Sequence, residues 1–256
     1  MSNKSIMRST IQAGIGVACI YAIWATLRRF EERAANVNLA KGKRFLILGG
    51  GFAGAAVAQE LARLLPAQDN GEIVLVDENN YLLFTPMLTE AAGGELETRH
   101  IVSPLRSLEP RIRFVQGRIT KIDLAAKSIE VESGSGDLDP VIQSFQADHL
   151  VIALGSVTNF HHTPGAAEHS IPMKKLDDAR GVFQRVSACL ERAAVEPDAM
   201  KRKELLTFVV GGGGYTGVET MAAVNDLVRA RANKLPLVRD QEIRTVIVAG
   251  EVPAVV

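Results

Sequence analysis

Gly49, Gly51 and Gly54 form a G-x-G-x-x-G series within GGGFAG, and Gly212, Gly214 and Gly217 form a second within GGGGYTG. Such a series suits the binding of a pyrophosphate. The first glycine permits a tight turn, the second lets backbone N–H groups approach the phosphates, and the third lets a helix pack on a strand. Phe52 and Ala53 complete the first turn and join its candidate binding residues. Each series follows an apolar run, Arg44–Leu48 (RFLIL) or Leu206–Val210 (LTFVV), and precedes a helix-prone stretch. A helix N-terminus would then turn its partial positive charge on the phosphates. A further apolar run, Glu72–Val76 (EIVLV), closes on Asp77, which can accept from ribose hydroxyls. Glycine turns also serve geometry alone, and Asp77 can be an ordinary strand-end acid. Strand, glycine turn, helix, strand and acid in that order nevertheless point to a dinucleotide. Two series imply two dinucleotides, most economically a flavin dinucleotide on the first and a nicotinamide dinucleotide on the second.

The elements that must hold these residues predict an α/β fold. It comprises two Rossmann-like dinucleotide-binding units, FAD then NAD, the second incomplete. Between them Gly117–Asp123, Ser128–Val131 and Val141–Gln146 read as a small β-meander. His149–Leu154 is a continuous apolar run ending at Gly155, the pattern of a buried parallel strand. Lys174–Val195 reads as a helix, and the charged stretch Glu196–Lys203, with Pro197, reads as a linker. In the second unit Val218-Glu219 is expected to open a helix running to about Ala232, before a strand at Arg244–Val248. The division expected is an N-terminal anchor and linker over 1–42, an FAD-binding part over 43–203 and the start of a nicotinamide unit over 204–256.

The bulk composition is that of a globular protein: 47% hydrophobic and 23% charged residues exclude a disordered or collagenous chain. Lys+Arg and Asp+Glu balance at 29 each, which removes nucleic-acid binding by bulk charge. Two distant cysteines, Cys19 and Cys189, make neither a CxxC pair nor a zinc cluster, so redox chemistry would need a bound cofactor. The balance is uneven along the chain. Lys4, Arg8, Arg28, Arg29 and Arg33 outnumber Glu31 and Glu32 near the N-terminus and flank the uncharged run Ser9–Leu27. As a helix that run would reach about 28 Å, close to the ~30 Å hydrocarbon core of a bilayer. Tyr21 and Trp24 suit an interfacial belt, and the basic residues that follow would keep the rest of the protein on the cytoplasmic side. A cleaved signal peptide, a lipoprotein-like Gly16-Val17-Ala18-Cys19 and a mitochondrial presequence are the competing readings.

The stretches LILGGGFAG (46–54), VDENNYLLFTPMLTEAAGG (76–94), RHIVSPLR (99–106), RFVQGRITKID (113–123), ALGSVTNF (153–160), IPMKKLDDA (171–179) and VVGGGGYTGVET (209–220) together resemble the two-dinucleotide flavoproteins. More closely they resemble the type II NADH dehydrogenases, over roughly residues 43–248. Relatives that use a cysteine pair beside the flavin, or several cysteines for sulfide, are poorly matched by a chain with two. The resemblance implies hydride transfer from NADH to FAD, with electrons passed to a membrane quinone. Contact with the bilayer through residues 9–27 is expected from the uncharged run itself, and a homodimer is one expected form of assembly.

Residue by residue, the resemblance places Gly49, Gly51 and Gly54 on the FAD pyrophosphate and Asp77 on its ribose. Thr85-Pro86 would reach the flavin ring, Ile119 would meet adenine, and Ala153 and Gly155 would line the cofactor. Gly212, Gly214 and Gly217 would hold the NADH phosphates, and Glu219, the candidate catalytic residue, would lie where nicotinamide meets flavin. Plainer readings stay open: a turn at Thr85-Pro86, a dipole-favoured first-turn acid at Glu219, and a loop at His161-His162. In two places the chain departs from the family. After Val248 come Ala249 and Gly250 before Glu251; Glu251, a candidate cofactor-binding residue, could still reach the ribose, but an acid missing from the strand end weakens the preference for NADH over NADPH. The chain also ends at Val256, before further nicotinamide-domain strands, a returning flavin segment and a quinone-binding region, so a truncated product is expected. A related enzyme with a soluble acceptor and a non-catalytic nucleotide-binding remnant are the alternatives.

Overall fold

The computed structural model describes residues 42–66, 71–134, 139–235 and 238–250. Both the uncharged run Ser9–Leu27 and Glu251 lie outside them. Among the described residues no helix is long and apolar enough to cross a membrane.

Strand β1 (Arg44–Leu48) pairs in parallel with β2 (Glu72–Asp77) on one side and β9 (His149–Ile152) on the other. Beyond β2 comes β5 (Ile112–Gln116), giving the order β5-β2-β1-β9. Alternation sorts the side chains onto two faces. Phe45, Ile47, Ile73 and Leu75 pack on Ala58, Ala62 and Leu65 of helix α1 (Phe52–Leu64) and its exit. Leu46, Leu48, Val74 and Val76 pack on Ile129, Val131 and Phe145 of a three-stranded antiparallel meander. That meander is β6 (Arg118–Asp123), β7 (Ser128–Ser133) and β8 (Val141–Gln146), as expected from the sequence. With both faces covered, the sheet's two inner strands need unbroken apolar runs. Arg111 closes the far end of α1, its guanidinium donating to the carbonyls of Ala62 and Leu65 at 2.6 and 2.7 Å.

A short antiparallel pair, β3 (Tyr81–Leu83) and β4 (Val102–Pro104), brackets helix α2 (Leu88–Gly93). A short helix α3 (Ala166–His169) precedes the long α4 (Leu176–Ala193). The second unit is β10 (Thr207–Gly211), helix α6 (Tyr215–Ala232) and β11 (Arg244–Val248), with β10 and β11 parallel. Its core joins Val186 and Leu190 of α4 to Val224, Leu227 and Val228 of α6.

Three sequence expectations are corrected. The stretch read as a linker carries a helix, α5 (Ala199–Leu205), because the Asp198 carboxylate caps it by accepting from the N–H groups of Met200 and Lys201. Helix α6 begins at Tyr215, not Val218, since the chain turns helical directly after Gly214. Strand β9 is parallel as expected but not fully buried: among the described residues it forms the edge of its sheet, and Ile152 and Leu154 are each more than half exposed.

Candidate functional site

Each glycine turn is built the same way. Gly49 takes φ +101° and Gly212 φ +112°, left-handed values that a side chain resists. Their N–H groups donate to Val76 O and Val248 O, both at 2.8 Å. A Cβ on Gly54 would collide with the Gly49 carbonyl, and one on Gly217 with that of Gly212, so the third glycine admits the helix. The second glycine differs. At Gly51 and at Gly214 an added Cβ would meet nothing within 4 Å, and both backbones are ordinary, with φ −71° and −75°. No packing among the described residues explains a glycine there. Open space lies over helix starts that carry no side-chain cap and no acid in the first turn. Both turns thus leave room and unneutralised N–H groups for an anion such as pyrophosphate.

Around the first turn the other expected residues gather. Asp77 accepts from Gly50 N at 2.6 Å through Oδ2 and from Asn79 N at 2.7 Å through Oδ1. Its carboxylate braces the turn; Oδ1 also accepts from Asn79 Nδ2 at 3.4 Å, while Oδ2 keeps a second lone pair for a ribose hydroxyl. Phe52 and Ala53 are exposed on the first turn of α1, with Phe52 edge-on to Phe84 at 5.6 Å between ring centres. Ala153 donates to Leu48 O at 2.8 Å, and its own carbonyl lies so close to Gly49 that a Cβ there would strike it. Gly155, at φ +73°, bends the chain away from β9 into open space. Ile119 packs half-buried against the meander-side core, two residues after Gly117, whose N–H donates to Asp77 O at 2.9 Å.

The two units meet at a cleft of about 250 Å³ lined by Thr85, Pro86, Leu88, Thr89, Met173, Lys174, Thr216 and Glu219. Thr85-Pro86 lies in a single 3₁₀ turn, Thr85–Met87, that runs directly into α2. Glu219 stands on the second turn of α6, not the first, so a pure dipole role suits it poorly. The fold thus brings together two candidates that lie far apart in sequence. The helices carrying them touch closely, because a Cβ on Gly93 of α2 would come within 2.9 Å of the Ala223 Cβ on α6.

Lys174 joins them, a residue the sequence did not single out except within IPMKKLDDA. Its backbone N–H and that of Lys175 donate to Asp178 Oδ2 at 2.9 and 2.6 Å, which fixes the start of α4 beneath the cleft. Its Nζ donates to Ser156 Oγ at 2.9 Å, next to Gly155. One cation and one carboxylate therefore flank the same space. Tyr81, packed against the α2–α4 core, has its phenol pushed above the ordinary range by burial and then by the Asp177 carboxylate, so it stays protonated. His161 and His162 lie exposed in the loop between β9 and α3, both in left-handed conformations.

Comparison with known proteins fits this geometry. The family model described as pyridine nucleotide-disulphide oxidoreductase matches residues 43–249. A relative from Arabidopsis thaliana, described as external alternative NAD(P)H-ubiquinone oxidoreductase B4, mitochondrial, is 32% identical over 98% of this chain and 44% of its own. External NADH-ubiquinone oxidoreductase 2, mitochondrial, of Saccharomyces cerevisiae is 28% identical over 86% of this chain and 40% of its own. The chain thus spans less than half the length of these relatives. A solved structure described as NDH2 from Plasmodium falciparum in complex with NADH shares the fold, with TM-score 0.70, 23% identity, and 81% of this chain and 42% of that one covered. From the glycine turns, the sheet and the match over 43–249, the chain belongs to the pyridine nucleotide-disulphide oxidoreductase family.

Proposed function

We propose that this chain is the FAD-binding part and the start of the nicotinamide unit of a membrane-associated NADH:quinone oxidoreductase. The observation that carries the reading is the shared cleft. Thr85-Pro86, reached from the first glycine turn, and Glu219, reached from the second, face one space. Two dinucleotides laid along the two turns would bring their reactive rings toward each other there.

FAD, when bound, supplies an acceptor for the hydride of NADH and a donor of electrons to the quinone. The chain's own work is placement. The N–H groups at the start of α1, over the open Gly51, hold one pyrophosphate, while those at the start of α6, over Gly214, hold the other. Asp77 keeps the first turn closed and offers the free lone pair of its Oδ2 to ribose. Lys174 and Glu219 fix the polarity of the cleft, and the α2–α6 contact fixes its walls. Holding two rings in register converts a bimolecular encounter into an oriented one, which is where most of the rate is gained.

The quinone acceptor is supported by the relatives, described as ubiquinone oxidoreductases. The division at 42/43 and 203/204, the anchor over 9–27, a cytoplasmic-face placement and a homodimer are parts of the same proposal. The test is to purify the intact protein and record its visible absorbance. Bound flavin that bleaches on NADH and recovers on a quinone analogue supports the proposal. Absence of flavin overturns it, and recovery only with a soluble acceptor overturns the quinone assignment.

A further inference from the structure

The cleft takes a cation from one unit and a carboxylate from the other. Lys174 belongs with the first unit. Its Nζ donates to Ser156 Oγ at 2.9 Å, shortly past the end of β9, and the neighbouring Lys175 reaches Glu78, directly after β2, at 3.6 Å. The start of α4 is thus tied to the first sheet at two strand ends. Glu219 belongs with the second unit, on α6, which rises from the second glycine turn. Both side chains line the one cleft, yet no ion pair joins them, and among the described residues neither has an ion-pair partner elsewhere. Both are exposed, so water screens each of them. Rings that displaced that water would leave each charge acting at short range in a lower dielectric.

Hydride transfer has a polarity of its own. A C–H bond of the dihydronicotinamide breaks, and its electron pair leaves with the hydrogen to form an N–H bond on the flavin. Two neutral rings become a cationic nicotinamide and an anionic reduced flavin. Positive charge therefore develops on the dinucleotide of the second glycine turn and negative charge on that of the first. The cleft's own charges run in the matching sense, with the carboxylate on the donor's unit and the ammonium on the acceptor's. We infer that Lys174 is the counter-charge of the reduced flavin, and that with Glu219 it forms a fixed dipole aligned with the charge that hydride transfer separates. Charges held where charge develops need no reorganisation at the moment of reaction. The Ser156 contact uses one of the three N–H donors of the ammonium and leaves two for the ring. The inference rests on the proposed transfer from NADH to FAD.

The experiment is an anaerobic redox-dye titration of the flavin bound to the intact protein, which reads its midpoint potential without turnover. Lys174 is exposed, so Lys174→Met removes a charge and no core packing. It should disfavour the reduced flavin by about tenfold, which is ~30 mV downward for a two-electron couple. Lys174→Arg keeps the charge and should restore most of the native potential. Lys175→Met deletes the same charge one residue along, where the ammonium faces Glu78, and should leave the potential unchanged. A second readout tests the other half of the dipole. Glu219→Gln should weaken binding of NAD+ by about fivefold or more relative to an unreactive tetrahydronicotinamide analogue, whose ring carries no charge. A native potential in Lys174→Met with flavin bound overturns the inference and leaves the proposed function standing. So does an equal shift in Lys175→Met, a Lys174→Arg potential as low as that of Lys174→Met, or an affinity ratio that Glu219→Gln fails to move. Absence of flavin from the native protein overturns the proposed function, and the inference with it.

Discussion

The Asp77 carboxylate accepts the backbone N–H of Gly50 at 2.6 Å, tying the end of β2 to the glycine turn that leaves β1. The same side chain accepts Asn79 N at 2.7 Å, so one carboxylate orders two bends. Asp77→Ala should cost about 1–3 kcal/mol in urea denaturation, the usual loss when charge-assisted hydrogen bonds are removed and their donors are left behind. Asp77→Asn retains one acceptor and should cost less. Equal stability of Asp77→Ala and the native protein would show that the turn holds without its brace.

The second and third glycines of the first turn should separate under substitution. Gly54→Ala drives a methyl group into the Gly49 carbonyl and should unfold the turn, with a loss of several kcal/mol, about the scale of severe core strain. Gly51→Ala meets open space at φ −71° and should change stability by less than about 1 kcal/mol, with stabilisation allowed because the unfolded chain loses freedom. It should nevertheless weaken FAD binding by about tenfold or more, since a methyl group would stand where backbone and pyrophosphate approach. Thermal melts and flavin content, measured on both variants, check the contrast.

In the cleft, Glu219→Gln should slow NADH-dependent flavin bleaching by about tenfold to a hundredfold at unchanged flavin content, the range expected when orientation of bound rings is disturbed. Lys174→Met should act on the same step. Because both side chains line one cleft, the double variant should fall short of the product of the single effects. Independent, multiplicative effects in stopped-flow traces would mean that the two groups serve different steps.

Glu72 bridges three strands, pairing with Arg44 of β1 at 2.6 Å and with Arg113 of β5 at 2.9 Å. Burial alone would raise its pKa, but the hydrogen bonds from Arg113 and Arg44 outweigh that and hold it below its ordinary 4.5. A carboxyl depressed in the folded state contributes stability in full above 4.5 and loses it as pH falls through the folded value. Glu72→Gln should therefore flatten the decline of stability on acidification below 4.5. Denaturant midpoints taken across that window provide the check, and an unchanged slope would contradict the assignment.

Much of this architecture was legible because β1 and β2 are covered on both faces and can be written only in apolar residues. The glycine turns were legible for a related reason, since Gly49 and Gly54 answer constraints that no other residue meets. Beyond local patterns, legibility fell away. Strand β9 has the same apolar spelling as its neighbours, and nothing in HLVIAL tells an edge strand from a central one. Helix α5 is charged and follows a proline, so only its Asp198 cap distinguished it from a linker. Lys174 carries no motif of its own. Its place in the cleft depends on Asp178 fixing the start of α4 and on α4 packing against α2, which are tertiary facts.

The contact of Gly93 with Ala223 reaches further than its size suggests. Thr89 stands one helical turn before Gly93 on α2, and Glu219 one turn before Ala223 on α6, so a glycine and an alanine act as the spacer for a gap they do not line. The reach between the two nucleotide platforms is thereby gauged at a distance. On the proposed function, any methylene added at that spacer would be a shim that resets the separation of the two rings without touching either one.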